Sequence, residues 1–549
     1  MKKSLFRVLS IATLGVVLMA CSNPKDMVKY ADDVEKTCNP AVLEVVADKI
    51  DVTYTLNFPE GYFHPKAILE VTPVLVYEGG EVAAPVLKLQ GEKVLDNYNV
   101  IPLAGKDIQH QVQFGYVEGM AKSHLELRSA VIYKDNVWDI PVAYKIADGA
   151  NITYKWVELE GVPVLMKDNY QKVIAEAQET AIMYAKNSAQ VRSKELTKAE
   201  IKEFQDFLKK LPADERRTLT GTEILAYASP EGPIDFNEKL SSNRMKSAQK
   251  AYDKITKKIK PDAPLSTSTF GEDWEGFKEL VGKTNLGDKD LILRVLSMYS
   301  DPVVREREIR NMSAVYKTLE EKVLPELRRA RLVANIEFTN YSDEELIEMA
   351  SGNIDALDEE ALLYAATLVK DKDTKISLYK QAAEKYNSAR GFNNLAVAYL
   401  SANKVNEAAA ALAKCDAKDP VVANNLGVIE MRKGNFDKAA QYFAQSGCDQ
   451  AKYNSGAIDI LNGKYKDALV KLNGQKHMNA CLAQLLNGNL DKAEEALSEC
   501  TCMKTVYVKA VIAARKGQTS KVNELMEKIN KVPALAAKAA KDIEFAKYR

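Results

Sequence analysis

Residues 226–244 read AYASPEGPIDFNEKLSSNR, and the organisation of the chain follows from them. Leu225, Ala226 and Tyr227 close an apolar run that has the character of a strand. Ser229-Pro230-Glu231-Gly232-Pro233 cannot prolong it, because proline has no backbone donor and glycine frees the turn. Beyond the loop, Asn237, Leu240, Ser241 and Arg244 fall at helical spacing, and Ala248 and Tyr252 continue the same face. The stretch therefore predicts a strand that delivers a helix N-terminus into a loop. Backbone N–H groups and the positive dipole end of such a helix suit a carboxylate ligand.

With its neighbours the stretch resembles the OmpA C-terminal, peptidoglycan-binding family. The family pattern Asn-x-x-Leu-Ser-x-x-Arg after a glycine loop is matched by Gly232, Asn237, Leu240, Ser241 and Arg244. Ala181 to Leu196 resembles the family's first strand and following helix, Gly271-Glu272-Asp273-Trp274 the turn out of the third strand, and Leu327 to Phe338 the closing Arg-rich strand. The resemblance covers residues 179–338, with a helical insertion near 288–324, and the Ser-Pro-Glu-Gly and Asp-Trp-Glu-Gly turns are of the kind common in the Bacteroides group. It implies an α+β domain whose Arg244 grips a peptidoglycan carboxylate in a forked contact. The pattern breaks at Ser229, where the family has its ligand aspartate; Glu231 stands two residues on. The implied peptidoglycan site is Ser229, Glu231, Asn237 and Arg244. The other reading of the same residues is a retained scaffold with Arg244 on a helix surface.

A chain of 549 residues requires about three or four domains. Lys+Arg and Asp+Glu both number 76, and a net charge of zero disfavours nucleic acid as a partner. Lys2, Lys3 and Arg7 precede an apolar stretch too short to span a bilayer comfortably, which ends in Leu18-Met19-Ala20-Cys21. This resembles a bacterial lipobox: cleavage after residue 20 leaves Cys21 as a lipid-modified N-terminus, with a polar tether over 21–40. Cys500-x-Cys502 lacks zinc-site spacing, and His64, His110 and His124 form no metal-ligand pair, so no metal and no cofactor is expected.

Residues 41–155 alternate, as in Ile50, Val52, Tyr54 and Leu56, with hairpin turns at Glu78-Gly79-Gly80-Glu81 and Lys134-Asp135-Asn136, and predict a β-sandwich of immunoglobulin type. Residues 156–178 read as a helical connector into the OmpA-like domain, 179–340. Within that domain, Leu196 to Leu211 reads as an amphipathic helix capped by Thr197 and Glu200.

From residue 341 to the end the chain repeats itself. Asn425-Leu426-Gly427, Gly434-Asn435-Phe436 and Ala439 resemble a tetratricopeptide repeat, with turns at Asn403, Gly434, Gly463, Gly488 and Gly517, spaced 31, 29, 25 and 29 residues apart. Ala408, Ala439, Ala468 and Ala493 recur five residues after the turns, where a small side chain lets helices approach. Cys415, Cys500 and Cys481 fall at positions held by small residues and read as packing. Asn394, Asn425, Asn454 and Asn479 stand nine residues before successive turns. In this family the first helices line the concave face, so the four amides form a candidate groove for the backbone of an extended peptide. The alternative is that each bonds within its own helix pair.

No nucleophile elbow, zincin or Walker motif is present in the sequence, and the reading is non-catalytic. The whole predicts a lipoprotein on the periplasmic face of an outer membrane, linking envelope to peptidoglycan and holding a protein partner in its repeat groove. The alternatives are an assembly or secretion accessory whose OmpA-like domain no longer binds the wall, and display on the cell surface.

Overall fold

The structure is a computed structural model and describes residues 23–285, 288–499 and 501–549. Cys21 and Cys500 lie outside them. The chain divides into two compact units: residues up to Lys167 together with Lys375–Arg549, and Asp168–Thr374. The three consecutive domains of the sequence reading thus become two units, the second inserted in the first.

The first unit opens with a helical turn, α1 (Asp26–Lys29). Met27, Ala31 and Val34 are buried, at spacings of four and three that match a helical stripe. Residues 23–40, expected as a tether, are therefore packed into the β region. Eleven strands follow: β1 (Glu35–Asn39), β2 (Val42–Val46), β3 (Lys49–Phe58), β4 (Ile68–Tyr77), β5 (Gly80–Ala83), β6 (Leu87–Gly91), β7 (Asn99–Ile101), β8 (Lys106–Gly115), β9 (Ser123–Tyr133), β10 (Asn136–Asp139) and β11 (Tyr144–Asn151). Along β3 the alternation puts Ile50, Val52, Tyr54, Leu56 and Phe58 inside. Both predicted hairpins form, β4–β5 closing at Tyr77↔Gly80 and β9–β10 at Tyr133↔Asn136. The expected sandwich of two sheets is instead one half-barrel sheet of order β1-β3-β2-β11-β9-β4-β6-β7. It is continuous because β2 pairs antiparallel with β3 and parallel with β11.

In the second unit, β12 (Val173–Met183) takes up the end of the expected helical connector and runs on through Ala181, where the OmpA resemblance placed the first strand. Ala, Glu and Gln favour helix there, but eleven residues in register with β15 (Arg329–Thr339) override that local preference. Between them come α2 (Ala199–Lys210), β13 (Arg217–Ala228), α3 (Ile234–Thr256), β14 (Leu265–Glu272), α4 (Trp274–Lys283) and the insertion α5 (Lys289–Met298), α6 (Pro302–Asn311) and α7 (Ser313–Lys322). The sheet runs β12-β15-β13-β14. Ile182, Phe204, Leu208, Ile224, Ala248 and Leu332 form its core; Phe277 of α4 forms a second core with Ile292, Ile309 and Leu319 of the insertion. The expected capping box at α2 is absent: Lys198 is the N-cap, and the Thr197 hydroxyl donates to the Lys194 carbonyl. Two more helices, α8 (Asp343–Gly352) and α9 (Glu359–Leu368), belong to this unit.

After α10 (Lys372–Tyr386), whose larger part lies in the first unit, helix pairs stack as a tetratricopeptide-like solenoid: α11 (Ala389–Ser401) with α12 (Val405–Leu412), α13 (Pro420–Arg432) with α14 (Phe436–Ser446), α15 (Asp449–Leu461) with α16 (Tyr465–Leu472), α17 (Met478–Leu486) with α18 (Leu490–Ala496), and α19 (Met503–Arg515) with α20 (Thr519–Ile529), followed by α21 (Pro533–Lys541). All five predicted turn residues have positive φ, from 58° at Asn403 to 80° at Gly434 and Gly488, which explains why four of them are glycine. Ala408, Ala439, Ala468 and Ala493 are fully buried, as is Val522 in the last pair. A β-carbon on Gly427 would come within 2.5 Å of Phe443, which fixes a small residue there. One hydrophobic cluster runs from Leu43 and Tyr154 of the β region to Tyr507 and Phe545 of the helices, so the two parts share a core.

Candidate functional site

The first helices of four consecutive pairs, α11, α13, α15 and α17, carry Asn394, Asn425, Asn454 and Asn479, each at most 2% exposed. Buried carboxamides require partners. Theirs are backbone groups of residues 158–166, a segment without regular secondary structure. Asn425 accepts from the Val164 N–H at 2.7 Å and donates to the Val164 carbonyl at 2.8 Å. Asn394 does the same for Met166 at 2.8 and 2.9 Å, and Asn454 for Val162 at 2.8 and 3.1 Å. Asn479 holds both groups of Glu158 at 2.8 Å. The segment runs antiparallel to the repeats, two residues to a repeat from 162 to 166. Pro163, between two of the gripped residues, has no N–H to lose.

Two further amides belong to the ladder and escaped the sequence reading. Asn393 and Asn424 donate to the Val164 and Val162 carbonyls, each at 3.1 Å. They also accept from Asn425 and Asn454 of the following repeats, at 2.9 and 3.0 Å, so the rows are cross-linked. The signal was the Asn-Asn doublet at 393–394 and again at 424–425. Arg432 donates to the Glu160 carbonyl at 2.6 Å. At Gly161 the chain turns with φ +70°, and a β-carbon would lie 2.8 Å from Met431 Cε. The candidate groove for a foreign peptide is thus filled by the chain's own linker.

The loop of the second unit also differs from expectation. Arg244 is completely buried, not poised at a helix start. Its Nε donates to the Ser188 carbonyl at 3.0 Å, Nη1 to Tyr227 at 2.9 Å and Nη2 to Ala185 at 3.3 Å, and burial lowers its pKa. Asn237, 3% exposed, donates to the Gly232 carbonyl and to Glu272. The Ser229 hydroxyl donates to Glu231. Glu231 faces Arg328 at 2.8 Å and Lys186 at 3.3 Å, and Lys186 reaches Glu320 of α7 at 2.8 Å. Burial alone would raise the Glu231 pKa; the Arg328 and Ser229 hydrogen bonds outweigh it and hold the carboxylate below its ordinary value. The helical insertion closes over the loop: Pro230 lines a small void together with Glu306, Ile309, Tyr316 and Leu319. The four residues are brought together, but as a self-satisfied cluster.

Cys38, Cys415, Cys448 and Cys502 are in no disulfide. Cys481 is buried, and burial pushes the Cys38 thiol up to about 11. Among the described residues no group of three His, Cys, Asp or Glu side chains is placed to hold a metal, and no helix is long and apolar enough to cross a membrane.

Compared by sequence, the chain matches no family model and no curated protein. Among solved structures it is similar to a chain described as the crystal structure of APC/C hetero-tetramer Cut9-Hcn1, at 13% identity over 57% of this chain and 71% of that one, with a TM-score of 0.29.

Proposed function

We propose that the protein is a non-catalytic envelope scaffold, an assembly or secretion accessory held at the periplasmic face of the outer membrane by lipid on Cys21. The amide ladder carries this reading: the repeats and the β region are one unit, tied by residues 158–166 lying in the groove. A protein partner then uses surfaces outside that groove. The OmpA-like reading of the second unit is supported by strands at the four expected places and by Asn237 and Arg244 beside the loop. The wall-linking role is not carried forward, because Arg244 is buried against three carbonyls and Glu231 is paired with Arg328. Co-sedimentation with purified peptidoglycan tests this choice: the chain is expected to remain in the supernatant. Retention that a folded Arg244→Lys variant loses would restore the wall-linking role.

A further inference from the structure

Strand registers gather several loops at one end of the β region. β3 ends at Phe58 opposite Lys106 of β8, β4 begins at Ile68 opposite Gln90 of β6, and β6 and β7 finish side by side at Gly91 and Ile101. Loops 59–67 and 102–105 therefore share that end, and loop 92–98 leaves from it. The Lys93 N–H donates to the Pro65 carbonyl at 2.7 Å, and the Gly61 N–H to that of Leu103 at 2.8 Å. Helix α1 is packed there too: the Tyr62 hydroxyl donates to the Met27 carbonyl at 2.9 Å and the His64 N–H to the Met27 sulfur at 3.4 Å. The helices of the first unit attach at the other ends of the strands. There Gly463 meets Val46 at the turn between β2 and β3, and Lys541 pairs with Glu78 after β4 at 2.9 Å.

Pro24 is buried, and the Asp26 N–H donates to the Asn23 carbonyl at 2.9 Å, so the folded part starts two residues after Cys21. Extended chain spans at most about 3.6 Å per residue, so a lipid-modified Cys21 holds Asn23 within roughly 7 Å of the lipid interface. At the same end, Leu95 in loop 92–98 is the most exposed large hydrophobic side chain among the described residues, at 101%, and Leu103 is 41% exposed. Exposed lysines there, among them Lys25, Lys66 and Lys93, are matched by Glu60, Glu92 and Asp96, so the contact is apolar and has no need of an anionic headgroup. On the reading of Cys21 as lipid-modified, we infer that this end of the β region rests on the bilayer, with Leu95 inserted among the lipids. The helical repeats then stand on the side away from the membrane.

The test is photo-cross-linking of the lipid-modified chain in phosphatidylcholine vesicles, with a benzophenone amino acid in place of Leu95, Leu103 or Val470 and adducts read by mass spectrometry. Val470, 79% exposed on α16, is the control. Phospholipid adducts are expected at positions 95 and 103 and not at 470. A spacer of about twelve Gly and Ser residues inserted after Ser22 adds a coil of roughly 20 Å and is expected to reduce them several-fold. Adducts no more frequent at 95 than at 470, on vesicles that retain the chain, would overturn the docking and leave the anchor standing. An unmodified Cys21, seen in the mass of the N-terminal peptide, would overturn both. Adducts of position 95 to a protein in place of lipid in whole cells would give this end to a protein partner and overturn the inference.

Discussion

An asparagine carboxamide accepts and donates at once, and so it can hold both backbone groups of one residue where aspartate or leucine cannot. Asn425 does this for Val164. Asn425→Ala leaves the Val164 N–H without its acceptor, the Val164 carbonyl with Asn393 alone and the Asn393 oxygen without its donor, so it is expected to destabilise the first unit by about 1–3 kcal/mol in urea unfolding. Asn425→Asp keeps the acceptor and loses the donor, and is expected to be no better tolerated. Gly161→Ala meets Met431 and forces a left-handed backbone on a β-carbon, a cost of roughly 1–2 kcal/mol readable as a lowered Tm. The phase of the four asparagines was legible because it recurs with the turns. What they bind was not, since nothing in Glu158–Met166 announces a ligand: backbone recognition leaves no side-chain pattern on the strand that is read.

Among the elements, turns and buried faces of the repeats were legible because positive φ demands glycine or asparagine and helix crossings demand alanine. The start of strand β12 was not, since its composition favours helix and its partner lies more than a hundred residues away. The loop after β13 was read correctly as a loop, but its environment is set by the insertion α5–α7, whose packing over Pro230 has no local signature. The Glu231 cluster makes a pH prediction. Its folded pKa lies below the model-peptide value near 4.5, so its stabilisation is complete above 4.5 and is lost as pH falls through the lower folded value. Urea unfolding at pH 7 and near pH 4 is expected to give a steeper acid loss for the native chain than for Glu231→Gln. Equal slopes would remove Glu231 from the account.

At the scale of the whole molecule, a chain that reads as three beads in series is two units, one inserted in the other. Contact between residues 158–166 and residues 394–479 joins segments separated by more than two hundred positions, which no local pattern encodes. It makes the groove an internal clamp. A peptide added in trans competes against a tethered occupant at high effective concentration, so weak binding is expected for any foreign extended peptide. Amide hydrogen exchange at Val162, Val164 and Met166 in the full chain tests the clamp most directly. The account predicts strong protection at all three, lost together in the Asn425→Ala, Asn454→Ala double variant while helices α19 and α20 stay protected; rapid exchange there in the native chain would contradict it.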